Sequence, residues 1–402
     1  MRLSLKTLGP GFLFAGAAIG VSHLVQSTRA GADFGFGLLW ALLLINLVKY
    51  PFFEFGPRYA SATGESLLHG YKKLGKGVLI TYFILTFATM FTIQTAVTIV
   101  TAGIASSLFG FGSVVLWTAF ITVICFTVLI LGRYKVLDSL MKMIVILLTI
   151  STLTAVVLAI RPETTLDFSQ VLPTDAISVA FLIAFMGWMP APLDISIWHS
   201  IWTVEKQKLN PSITRKQSRF DFNVGFITTI ILGISFLALG AIVMHNTGES
   251  FSPKGSEFAN QLISMYTFSL GQNAKLIIGI AALTTMFSTT LTTLDSSPRV
   301  MSLTTELIQE KPFTNGYLRW LILLVIGTLA IFFFFVSEMG LLIKIATILS
   351  FLTAPFYAII NFKLITGKNT PISARPSKPL QIYSVICIAI LFGFSIWFLT
   401  TL

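Results

Sequence analysis

Two apolar segments of this chain are long enough to cross a lipid bilayer, yet each carries an interruption near its middle. The first runs from Gly9 to Trp40, GPGFLFAGAAIGVSHLVQSTRAGADFGFGLLW. It starts as an apolar helix and loosens at Gly16 and Gly20. It then sets Ser22, His23, Gln26, Ser27 and Thr28 where lipid-embedded helices are normally apolar. The second runs from Phe181 to Ser200, FLIAFMGWMPAPLDISIWHS. Pro190 and Pro192 each remove an amide donor and clash with the preceding turn, so no helix passes through unbroken. Interrupted backbone at membrane depth must be buried in protein or open onto a water-filled cavity, because lipid offers it no partners.

The rest of the chain fits the same solvent. Of its 402 residues, 55% are hydrophobic and 11% charged, against about 25% charged in soluble domains. A span needs about 20 apolar residues, and that ruler predicts an all-α integral membrane protein with eleven spans. They cover about 10–33 (broken), 36–60, 76–107, 112–132, 136–160, 176–203 (broken), 220–245, 273–303, 316–336, 338–365 and 381–401. The stretch 255–270 is amphipathic and too brief to span, and reads as a short external helix. The net charge of +11 points to topology rather than to nucleic acid, since the basic residues fall between spans. Clusters such as Lys72, Lys73 and Lys76, and Lys206, Lys208, Arg215, Lys216 and Arg219, share one side of the membrane. Only Arg29, Arg161, Lys254 and Lys275 fall on the other, with Asp33, Glu163, Asp167, Asp175, Glu249, Glu257 and Glu338. The positive-inside rule then places the N-terminus in the cytoplasm and the C-terminus outside. Arg2 and Lys6 precede the first span with no small-residue cleavage site after it, so no cleaved signal peptide is expected. Cys125 and Cys387 lie in apolar runs and suggest neither a disulfide nor a metal cluster.

Ten spans divide into two sets of five, about 9–160 and 176–365, each opening on a broken helix. An odd number of spans per repeat turns the second set upside down, giving one transmembrane domain with an extra helix at about 381–401. This is the inverted-repeat plan of secondary transporters, with substrate at midplane between the breaks. No phosphate-cradling Gly-Lys-Ser/Thr loop, Gly-x-Ser-x-Gly elbow or His-Glu-x-x-His occurs, so neither an ATP-driven pump nor an enzyme is expected. The aromatic residues form no stacking platform for nucleic acid. The expected partners are membrane lipid and a small cation or small-molecule substrate; no cofactor is expected beyond a transported cation.

The residues GPGFLFAG and ADFGFGLLW resemble the opening of Nramp-type divalent metal transporters, without a gap from Gly9 to Trp40. The resemblance implies a LeuT-type fold with discontinuous first and sixth helices, and proton-coupled uptake of a divalent metal, in a bacterial inner membrane. In that family the first break reads Asp-Pro-Gly-Asn, with Asp and Asn on the metal; here the ungapped register reads Gly20, Val21, Ser22, His23. The family's second break reads Met-Pro-His, with His-Ser soon after. Aligning Met189-Pro190 keeps the thioether and puts Ala191 at the His. Aligning His199-Ser200 puts Pro192 at the Met and Asp194 at the first His. Either way the ligand set is altered, and an altered metal selectivity follows. A small organic solute such as an amino acid on the same fold is the alternative, since half-helix N-termini can receive a carboxylate.

Substrate contacts are therefore expected at Gly20, Ser22 and His23 on the first break and at Met189, Ala191 and Asp194 on the second. His23, Met189 and Asp194 are the candidate metal ligands: imidazole suits transition metals, a thioether suits soft ones. His23, Asp194 and His199 form the candidate proton route. Each has a competing structural role: a buried His bonded to a carbonyl, a core-filling Met, an Asp capping a helix. The hydroxyl-rich run 284–297 offers Ser288, Thr289 and Thr292 as a possible ion site, or simply as packing between helices. Asp295 and Arg299 are spaced for an intrahelical ion pair. Lys49 and Lys344 read as long side chains that snorkel toward an interface. Glu54, near Pro51, has no assigned role beyond pairing with a cation or gating.

Overall fold

The computed structural model describes residues 9–131, 134–160, 166–245, 275–335 and 339–400, and within 252–271 Ser252, Glu257, residues 260–264, Thr267 and Gly271. Among the described residues the regular structure is all helix, with no strand. The first broken span consists of α1 (Pro10–Ala18), a π-helical turn (Ser22–Ser27) and α2 (Thr28–Phe34). Then come α3 (Leu39–Thr63), the short α4 (Leu67–Leu74), α5 (Lys76–Phe109), α6 (Val114–Leu131) and α7 (Tyr134–Ala159). The second broken span is α8 (Ala176–Trp188) and α9 (Ile195–Leu209). It is followed by α10 (Arg215–Val243), α11 (Lys275–Gln309), α12 (Gly316–Phe335), α13 (Met339–Thr366) and α14 (Lys378–Leu399).

Seven of these helices, α3, α5, α6, α10, α12, α13 and α14, are long and apolar enough to cross a membrane unaided. With α7, α11 and the two broken spans they make the eleven-span bundle. Burial separates an inner from an outer set. The apolar windows of α3 and α10 are 67% and 61% buried, those of α6, α12 and α14 only 28%, 22% and 28%. The outer helices therefore turn side chains such as Phe120, Val123, Ile326 and Ile386 outward, where lipid rather than protein is their solvent.

The inner set grips both broken spans. The halves of the first pack on α10, α8 packs on α13, and α9 packs on α3. At the entry of α1 the backbones nearly touch: a Cβ on Gly225 would lie 2.1 Å from the Gly11 carbonyl oxygen. There Asp221 of α10 accepts from the Gly9 and Gly11 amides at 2.9 and 2.7 Å, satisfying donors that a helix start leaves free. Asp175 caps α8, accepting from Ile177 and Ser178; the Ser178 amide in particular holds its carboxyl below the usual range. Thr214 and Gln217 form a capping box on α10.

Several expectations change. The gap left between the spans expected at 176–203 and 220–245 contracts to residues 210–214, because α9 and α10 extend into it. Helix α4 was not anticipated. The helix expected at 255–270 falls largely outside the described residues, as do Arg2, Lys6, Arg161, Glu163, Glu249, Lys254 and Glu338. Lys344 is exposed on α13, as a snorkelling lysine would be. Glu54 is buried beside Arg58 at 2.7 Å, with Arg219 at 3.6 Å. Arg299 pairs with Asp295 at 2.7 Å, and the Tyr317 hydroxyl donates to the same carboxylate at 2.8 Å.

Candidate functional site

The first break is closed by its own neighbourhood. After Ala18 the chain turns through residues 19–21 and resumes as a π-helical turn, a winding often found at functional sites. Ser22 Oγ donates to the Ala18 carbonyl at 2.6 Å and lies 2.7 Å from His23 Nδ1. The His23 ring is fully buried, with Nδ1 3.1 Å from the Ala18 carbonyl and Nε2 3.0 Å from that of Thr229 on α10. Both ring nitrogens thus face protein acceptors and tie the break to α10. From α11, Thr289 Oγ1 lies 3.2 Å from each of the Gly16 and Ile19 carbonyls. A Cβ at position 20 would sit 2.7 Å from that same oxygen and 2.8 Å from Thr289 Cγ2. Gly20 therefore has a steric cause: the threonine fills the space a side chain there would need.

The second break runs from Met189 to Asp194, between α8 and α9, and so embraces both registers considered above. Its backbone is satisfied by a residue from outside it. Lys49 of α3 is fully buried, and its Nζ lies 2.9, 2.6, 3.1 and 3.0 Å from the carbonyl oxygens of Met186, Gly187, Met189 and Ala191. The snorkelling expectation for Lys49 is thereby corrected. Helix α3 starts at Leu39, so at 1.5 Å per residue Lys49 lies roughly 15 Å along it, about half the thickness of the hydrocarbon core. No interface is within reach, and the carbonyls at the end of α8 take the ammonium instead.

The Met189 and Ala191 carbonyls, expected to meet substrate, are therefore already engaged. The Met189 thioether packs toward α10, 3.4 Å from where a Cβ on Gly233 would stand. Asp194 occupies the capping position of α9 but makes no side-chain cap, and its Oδ1 has no hydrogen-bond partner. His199 is fully buried and flanked by Phe14 and Phe222, each 5.6 Å between ring centroids. Neither of its ring nitrogens has a partner.

Between the breaks lies a cavity of about 40 Å³. Ser22 lines it from the first break, Asp194, Trp188 and Trp198 from the second broken span, and Thr289 and Thr293 from α11. Ser22 Oγ reaches to 3.5 Å from the Pro190 carbonyl across the gap. Of the sequence-derived candidates, then, Ser22, Asp194 and Thr289 meet at one space. Gly20, His23, Met189 and Ala191 stand beside it but do not line it. Ser288 and Thr292 are buried on α11 next to Thr289, and His199 sits a turn further along α9. Among the described residues no group of three His, Cys, Asp or Glu side chains is placed to hold a metal. Sequence reasoning misread Lys49 and did not single out Thr293 or the two indoles. The signal for Lys49 was its distance from either end of a span.

Comparisons with known proteins agree with this architecture. A crystal structure of a manganese transporter from Eremococcus coleocola superimposes with a TM-score of 0.75 at 13% identity, over 96% of this chain and 84% of that one. A structure of MhsT in complex with L-phenylalanine gives 0.62 at 15% identity, over 96% and 98%. At such identities the likeness establishes the fold, the LeuT type. An uncharacterized protein of Pasteurella multocida is 38% identical over 367 residues, 89% of this chain and 84% of its own length. The model of the natural resistance-associated macrophage protein-like family matches residues 11–401. The chain belongs to the Nramp family, integral membrane proteins that act as secondary metal-ion transporters and not as enzymes.

Proposed function

We propose that this protein imports a divalent metal cation across a bacterial inner membrane, driven by protons, with a preference for hard cations over soft ones. The N-terminus would face the cytoplasm and the C-terminus the outside. The observation that carries the reading is Asp194, whose unpartnered carboxylate oxygen borders the cavity between the breaks. Around it stand the hydroxyls of Ser22, Thr289 and Thr293. Oxygen donors suit magnesium or manganese, whereas iron and cadmium gain from imidazole or thioether ligands, and neither His23 nor Met189 lines the cavity. A cation about 4 Å from one carboxylate gains about 4 kcal/mol per unit charge at an effective dielectric near 20. The same carboxylate is the proton carrier: protonation empties the site and deprotonation prepares it. Alternating access then proceeds by the first broken span changing partners around the cavity while the second stays fixed to α3 through Lys49.

One observation favours an organic solute instead: the Trp188 and Trp198 indoles in the cavity wall. A volume of about 40 Å³ admits a cation with a few waters but no amino acid, so that reading requires a wider conformation. Proteoliposomes under an inward proton gradient test the choice. The account expects manganese or magnesium influx that cadmium competes poorly against. No flux of any divalent metal, together with uptake of an amino acid, would replace it.

A further inference from the structure

The end of α8 is built as a cation cage. Four carbonyl oxygens, of Met186, Gly187, Met189 and Ala191, stand within 2.6 to 3.1 Å of a single point. They lie where a helix leaves its last carbonyls unpaired and its dipole negative. An ammonium carries only three N–H donors, so four oxygens exceed what hydrogen bonding to Lys49 requires. They surround a charge, as carbonyls do where they replace the hydration shell of a potassium ion. The occupant arrives from α3, a helix outside the break, on a fully buried side chain.

We propose that the second break contains a monovalent-cation site whose resident cation is the Lys49 ammonium of the chain itself. A potassium or ammonium ion is close to it in size and charge. A transporter whose break is held by a dissociable ion depends on ambient salt, whereas this one carries that ion covalently. Lys49, Met186, Gly187, Met189 and Ala191 do not line the cavity at Asp194, so the cage is a separate site.

The test uses the full-length chain in detergent with EDTA, so that no divalent metal contributes. Thermal unfolding is compared in choline, sodium, potassium and ammonium chloride. Wild type should melt at one temperature in all four salts. Lys49→Ala, which opens the cage, should melt well below wild type in choline and recover at least half of the loss in potassium or ammonium. Lys49→Met fills the space without a charge, so it should show a comparable loss with no recovery in any salt. The proposal is overturned if Lys49→Ala matches wild type in choline, if no ion restores it, or if Lys49→Met responds to the ions as strongly as Lys49→Ala.

Discussion

The two breaks solve one problem with different chemistry. In the first, freed carbonyls are taken up by neutral hydroxyls, one from the break itself and one from α11. Ser22 serves Ala18, Thr289 reaches Gly16 and Ile19, and a π-helical turn restores most of the winding. In the second, a charge from another helix gathers four carbonyls at once. Neutral hydroxyls each settle a local vacancy and leave the segment free to change partners one at a time. A buried ammonium locks the end of α8 to α3 as a unit. The first break is therefore suited to move and the second to hold position, with Asp194 presented from the held side.

That contrast can be broken or sharpened by substitution. The largest effect is expected at Asp194, the acid that borders the cavity: Asp194→Asn should lower metal flux in proteoliposomes about a hundredfold or more, given about 4 kcal/mol for each lost unit-charge contact. Next comes the held break. Lys49→Met leaves four buried carbonyls without their cation and should cost on the order of 3 kcal/mol, read from thermal unfolding in choline. Restoring the family's acid should not restore its site. Gly20→Asp drives a side chain into Thr289 and should cost about 2 kcal/mol. Gly20→Asp combined with Thr289→Ala should recover part of that loss, and additive costs would show that the two residues are not coupled. The mildest change is Thr289→Val at the movable break, at about 1 kcal/mol. A cost equal to that of Lys49→Met would erase the distinction between the breaks.

Most of the architecture was legible in the chain. Span positions follow from apolar run length, and the breaks follow from Gly16, Gly20, Pro190 and Pro192, which act through local backbone chemistry. Partnerships between distant segments left no such trace. Nothing near Lys49 in sequence says that it meets residues 186–191. His23 looked like a ligand because imidazole is rare in a span, and only the folded chain sets Nδ1 against the Ala18 carbonyl and Nε2 against that of Thr229. Met189 was ambiguous for the same reason: a thioether fills a core as readily as it binds a metal. Asp194 was a candidate because it follows the proline break by two residues and could replace the charge lost at Gly20, with a helix cap as the competing role; in the structure it makes no side-chain cap and its Oδ1 has no partner.

The most direct measurement is anomalous scattering from crystals of the protein soaked in manganese. The account predicts one peak between the breaks, within ligand distance of Asp194 Oδ1 and near Ser22 and Thr289, that disappears in Asp194→Asn. Bound manganese located elsewhere, or a peak between the breaks that persists in Asp194→Asn, would contradict it.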